Sequence, residues 1–125
     1  MPTRRKRPRA TPKRRWRDYE TPAGHRPVKS FLDRLGDPDV AAIVAALREV
    51  EQAGLAAAKH LRGDIYEVVA DGDRQTFRIL FAPEGRHKQV LLALHGFSKK
   101  TQKTPEQLRL AERRLADWLM RGRRL

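Results

Sequence analysis

The sequence contains no cysteine. That excludes disulfides, thiolate zinc sites and a cysteine nucleophile. Aromatic residues make up only 6% of the chain, so a core must be built mainly from aliphatic side chains. No apolar run approaches the ~18 residues of a membrane-spanning helix. The basic opening "MPTRRKRPRATPKRRW" leads into no apolar segment of the kind a secretory signal requires. The expectation is a cytoplasmic protein with no membrane partner. Acidic residues are scarce, and none precedes Asp18. There is no His-x-x-x-His pair and no acidic cluster, so neither a metal nor a cofactor is expected.

What is present in excess is positive charge. Lys and Arg number 28 against 15 Asp and Glu, a formal net charge of +13, and the sequence pI is about 11.2. So basic a chain repels itself unless it meets a polyanion, and nucleic acid or an acidic protein is the expected partner. Residues 1–13 hold Arg4, Arg5, Lys6, Arg7, Arg9 and Lys13 with three prolines. They read as a disordered basic arm, either a solvated tail or a non-specific RNA tether. With Arg14 and Arg15 the first fifteen residues carry eight charges. Subtracting those eight from +13 leaves about +5 on the remaining 110 residues, so the domain itself is basic.

Residues 14–125 are long enough for one domain and not two. "RRWRDYET" reads as a first strand. "PVKSFLDRLG" reads as a short helix, with Val28, Phe31, Leu32 and Leu35 on one face and Gly36 at its end. A second helix follows, with Asp37 as N-cap, Pro38 at its first position and an apolar stripe through Val40, Ile43, Val44, Leu47 and Val50. "IYEVVADGDRQTFRILF" reads as a hairpin about a two-residue Asp71-Gly72 turn. "QVLLALHGF" is apolar on both faces and belongs inside the sheet. Thr104, Pro105 and Gln107 open a last amphipathic helix, Gln107 closing a capping box. The order β-α-α-β-β-β-α predicts a small α+β domain. Its antiparallel-dominated sheet is covered on one face by helices, two from the N-terminal half and one C-terminal, and its other face is left open for function.

The two-residue turn pairs Ala70 with Asp73, Glu67 with Thr76 and Ile65 with Arg78. Tyr66, Val68, Phe77, Ile79 and Phe81 then face the core, and Glu67, Arg74, Thr76 and Arg78 the open side. A mid-strand arginine is costly unless paired or in use. Arg78 has Glu67 as a diagonal partner, which is a structural role, and this can coexist with a functional one. "KHLRGD" brings Lys59, His60 and Arg62 to the start of the hairpin in what reads as a loop. "HGFSKKTQKTP" puts Lys99, Lys100 and Lys103 in the joint between a strand and a helix. Cations thus converge on one sheet surface from three segments, with Lys59, His60, Arg74 and Lys103 as candidate RNA contacts. Of the four histidines, His25 and His87 sit in turns. His60 and His95 lie near the candidate site, His95 either as a catalytic group or as a satisfied core histidine.

"LRGDIYEVV", "TFRILF" and above all "HGFSKKTQKTP" before an amphipathic helix resemble the HigB-like, phage-derived toxins of the RelE superfamily. The likeness covers roughly residues 14–120. It implies a microbial-RNase-type fold and the toxin half of a type II toxin–antitoxin pair. It also implies endonucleolytic cleavage of mRNA, often in the ribosomal A site, and a neutralising helix-turn-helix antitoxin through which alone operator DNA would be met. By motif, Arg62 matches the arginine of "L-R-G", Arg78 the strand arginine and Lys100 the basic residue after the last strand. The chain departs from RelE-type members at Glu67 and Val69, where those carry lysines. It also has no tyrosine after Tyr66, which leaves the general base open.

RNA is cut without metal when its own 2′-OH attacks the adjacent phosphate. The catalyst must remove the 2′ proton, stabilise a phosphorane-like charge and protonate the 5′ oxygen. An arginine fork suits the middle task. A lysine crowded by other cations is a possible base, and a helix N-terminus adds its dipole near the phosphate. The candidate catalytic set is therefore Arg78, Lys100, Lys99, Arg62 and His95. The competing readings are a non-catalytic RNA-, ribosome- or DNA-binding protein and an inactive toxin homologue.

Overall fold

The computed structural model describes residues 13–100 and 104–122. Most of the basic arm and Lys103 lie outside the described residues. Five strands and three helices follow one another: β1 Arg15–Asp18, α1 Pro27–Asp33, α2 Asp37–Ala53, a 3-10 turn Gly54–Ala57, β2 Lys59–Arg62, β3 Ile65–Asp71, β4 Thr76–Glu84, β5 Val90–Ser98 and α3 Thr104–Gly122. The sheet order is β1-β5-β4-β3-β2. β1 runs parallel to β5, and every other pairing is antiparallel. This is the expected α+β class with the expected helices. The segment "KHLR", read as a loop, is an edge strand on β3.

β5 lies inside the sheet, between β1 and β4. Its alternating residues enter two different cores. Leu91 and Ala93 join Val28, Phe31, Ile43 and Phe81 under α1 and α2. Leu92, Leu94 and Phe97 join Tyr19, Ala111 and Leu115 under α3. Each fully buried Leu or Phe of these layers is worth roughly 2 kcal/mol or more over an exposed one. Helices therefore cover both faces, which corrects the expectation of one open face. A strand apolar on both sides cannot leave either in water, and α3 supplies the second cover. Gly96 permits the close packing of α1. A Cβ there would stand 2.6 Å from a ring carbon of Phe31.

The hairpin turn also differs from expectation. Asp71 pairs with Thr76 and Ala70 with Phe77, so the loop holds four residues. The Gly72 N–H donates to the Gln75 carbonyl at 2.8 Å. The cause is tertiary. Asp39, in the first turn of α2, accepts the Asp73 N–H at 2.7 Å. A Cβ on Gly72 would overlap that carboxylate at 2.2 Å. The partner of Ala70 moves four residues along β4, from Asp73 to Phe77. Four is even, so every side chain keeps the face assigned to it. Arg78 now lies opposite Val69 and is still diagonal to Glu67.

Candidate active site

α3 does not reach the hairpin end of its sheet face. The strip beyond it carries Lys59 opposite Glu67, exposed Val69 opposite Arg78, and Thr76 beside Lys99, whose N–H donates to the Thr76 carbonyl at 2.9 Å. The strip ends in an open cleft of about 340 Å³ lined by Arg74, Gln75, Thr76, Lys99 and Lys100. Gln75 and Ser98 tie its two walls, with Ser98 Oγ donating to Gln75 Oε1 at 2.6 Å. The Lys100 N–H points to the same hydroxyl at 3.4 Å. Among the described residues no carboxylate pairs with Arg74, Lys99 or Lys100. Three cations thus share one concave surface, none of them ion-paired among the described residues, an arrangement that suits the phosphates of a polyanion.

Arg78 stands next to this cleft on β4 and is the most constrained cation of the set. Its Nη1 donates to Glu67 Oε2 at 2.9 Å, with the two side chains 18% and 2% exposed. Its Nε is buried with no hydrogen-bond partner among the described residues. Glu67 therefore aims the guanidinium while part of the fork stays uncommitted. The structural and functional readings of Arg78 are compatible in this geometry.

The remaining candidates are dispersed. Lys59 shares the strip, exposed, on the outermost strand. His60 packs on Tyr66 with ring centroids 4.8 Å apart, on the α1/α2 side of the sheet, and its Nε2 meets the Gly63 carbonyl at 2.7 Å. Arg62 follows a bulge in β2 and forks onto Glu112 of α3, Nε and Nη2 meeting the two carboxylate oxygens at 2.9 and 2.7 Å. That pairing lowers the carboxyl pKa of Glu112 and raises that of Arg62. Arg62 therefore braces α3 and does not line the cleft. Arg62→Ala is expected to leave the melting temperature nearly unchanged, because an exposed pair contributes little. A loss of activity at an unchanged melt would give Arg62 a role beyond stability, in substrate contact or in the seating of α3, and melts beside cleavage assays read this.

His95 lies on the α3 side, half-buried. Its Nδ1 accepts from Arg114 Nη1 at 3.2 Å, and its Nε2 meets Gln107 Oε1. Gln107 thus sets its oxygen against the sheet. Arg114 Nη1 also donates to the Leu94 carbonyl at 2.8 Å. Burial first, and the Arg114 charge besides, hold His95 below the usual imidazole range. Sequence reading did not find Gln75, Glu112 or Arg114, and gave Gln107 only a capping role. Their partners lie between 12 and 50 residues away in most of these contacts, and no local pattern marks them.

A family model described as phage derived protein Gp49-like matches residues 30–116, from α1 through most of α3 and including the cleft. The chain belongs to this Gp49-like family. Within it the chain is HigB-like. It is 35% identical over 94 residues to two relatives named "Probable endoribonuclease HigB1", from Mycobacterium tuberculosis strains CDC 1551 / Oshkosh and ATCC 25618 / H37Rv. The match spans 73% of this chain and 73% of each relative. The α+β architecture agrees with the RelE-like fold that the motifs imply. In this Gp49-like chain the residues matched by motif fall on two sites: Arg78 and Lys100 at the cleft, Arg62 at the α3 brace. Among the described residues, no helix is long and apolar enough to cross a membrane, and no cluster of three potential His, Asp or Glu metal ligands occurs.

Proposed function

We propose that this protein is the toxin of a type II toxin–antitoxin pair, a cytoplasmic endoribonuclease that stops translation by cutting mRNA, with the ribosome presenting the substrate. The observation that carries this reading is the cleft of Arg74, Lys99 and Lys100 beside an Arg78 held in place by Glu67. The naming of the relatives as probable endoribonucleases supports it. The substrate's 2′-oxygen attacks phosphorus, its proton passing to a base, and the P–O5′ bond breaks as the 5′ oxygen gains a proton. Arg78 and Lys100 meet the charge that grows on the non-bridging oxygens, which is where preorganised cations act most strongly. The chain's own cations supply this charge without a metal. Lys100 is the residue best placed to exchange protons, being the motif lysine on the cleft wall. Arg74, Lys99, Lys59 and, by sequence, Lys103 bind RNA. A helix-turn-helix antitoxin would neutralise the toxin by covering or distorting this surface.

Induction of the chain is expected to halt protein synthesis within minutes. The cut RNA should end in 2′,3′-cyclic phosphate or 3′-phosphate. Co-expression of a neighbouring helix-turn-helix protein should restore growth. Growth arrest with intact mRNA would sink the nuclease reading and leave a basic binding module in its place.

A further inference from the structure

His95 satisfies both ring nitrogens on α3, and the two partners differ in kind. Arg114 can only donate, so Nδ1 must be the acceptor. Nε2 therefore carries the hydrogen and donates to Gln107 Oε1. This is a neutral histidine in one tautomer, with no lone pair left for a substrate proton. Gln107 lies in the first turn of α3. His95 lies three residues before Ser98, the last residue of β5. The bond between them therefore spans the base of the segment that carries Lys99 and Lys100, tying the strand before it to the helix after it.

We propose that His95 is a positioning residue. With Gln107 and Arg114 it clamps the start of α3 to β5 and so fixes where Lys99 and Lys100 stand relative to Arg78. This inference rests on the proposed cleavage site and deepens it. Protonation would open the clamp. A charged imidazole has no acceptor for Arg114 and sets two cations against each other. Other charges are turned away: Glu112 to Arg62 and Glu67 to Arg78. On β4 the cross-strand neighbour of His95 is Leu80, and Arg78 lies further along opposite Phe97. The lowered pKa of His95 agrees in sign. A histidine kept neutral in the fold favours the folded state above its ordinary pKa, about 6.5. That preference is lost as pH falls from about 6.5 toward its depressed value.

Glutamine at position 95 is the discriminating variant, because an amide can accept from Arg114 and donate to Gln107 without titrating. NMR titration of the wild type should show the Lys99 and Lys100 amides shifting together with the His95 ring as pH falls. In His95→Gln they should keep their neutral-pH positions and stop titrating; in His95→Ala they should be displaced at all pH values. In cleavage assays His95→Gln should retain kcat within about threefold and lose the acid limb of the pH profile, whereas His95→Ala should lose kcat more than tenfold. The proposal is overturned if the two amides ignore the His95 titration, or if His95→Gln is as inactive as His95→Ala with its lysine amides in place. The latter would make His95 a chemical participant. Because the NMR arm reads no RNA cleavage, a wild type that binds RNA without cutting it would sink the nuclease reading and leave the clamp to be judged separately.

Discussion

Arg78→Ala is expected to abolish cleavage and to lower stability in the same stroke. The sequence alone placed Arg78 on an open sheet face, where truncation would spare the core. The structure instead buries its partner: Glu67 is 2% exposed, and Arg78 is its ion-pair partner. Removing one member of a buried pair leaves the other uncompensated, at a typical cost of about 3–5 kcal/mol. A small domain has only about 5–15 kcal/mol in total, so a non-toxic Arg78→Ala protein could simply be unfolded. Loss of one transition-state phosphate contact would by itself cost on the order of 3 kcal/mol, roughly a hundredfold in rate. The two effects separate in a double variant. Replacing both residues, as Glu67→Met with Arg78→Met, removes the stranded carboxylate and refills the space. Such exchanges are often neutral or stabilising. Its melt should approach that of the wild type while cleavage stays at the Arg78→Ala level. Arg78→Lys should fold better than Arg78→Ala but recover little rate, since a point charge cannot reproduce the fork. A well-folded double variant that cleaves RNA at the wild-type rate would show that Arg78 serves only Glu67.

The parts of this fold that could be read from sequence are those governed by local periodicity. The stripes of α2 and α3 and the alternation of β3 and β4 needed no tertiary information. Even the wrong hairpin register left Arg78, Thr76 and Glu67 on one face, because the slide of four residues preserves the two-residue period of a strand. The illegible parts are long-range. Asp39 reaches across from α2 to reshape the hairpin loop. Glu112 draws Arg62 away from the cleft across a sequence separation of 50. β2 is four residues long with a bulge, too short for any pattern to declare it. One error could have been avoided: "VLLALHGF", apolar on both sides, already implied a helix on each face of the sheet.

Lys100→Ala should cut the cleavage rate by roughly a hundredfold, the usual loss for one transition-state contact, with no change in the melting temperature. The contrast with Arg78 follows from packing. Lys100 is exposed on the cleft wall and has no carboxylate partner among the described residues, so its removal strands nothing. Lys99 and Arg74 line the same cleft, but a residue that only holds the RNA contributes equally to ground and transition states. Their alanine variants should raise KM with kcat little changed, and each should reduce the salt dependence of RNA binding by about one unit of slope. Substituting arginine then resolves what Lys100 does. If it only offers charge, Lys100→Arg should restore most of the lost rate. If it exchanges a proton with the 2′ or 5′ oxygen, arginine should not rescue, because a guanidinium stays protonated in proteins. The Lys100 N–H points to Ser98 Oγ, itself bonded to Gln75, while the Lys100 side chain is exposed, so neither substitution disturbs a packed contact. A Lys100→Ala protein that cuts RNA at the wild-type rate would move the chemistry out of this cleft altogether.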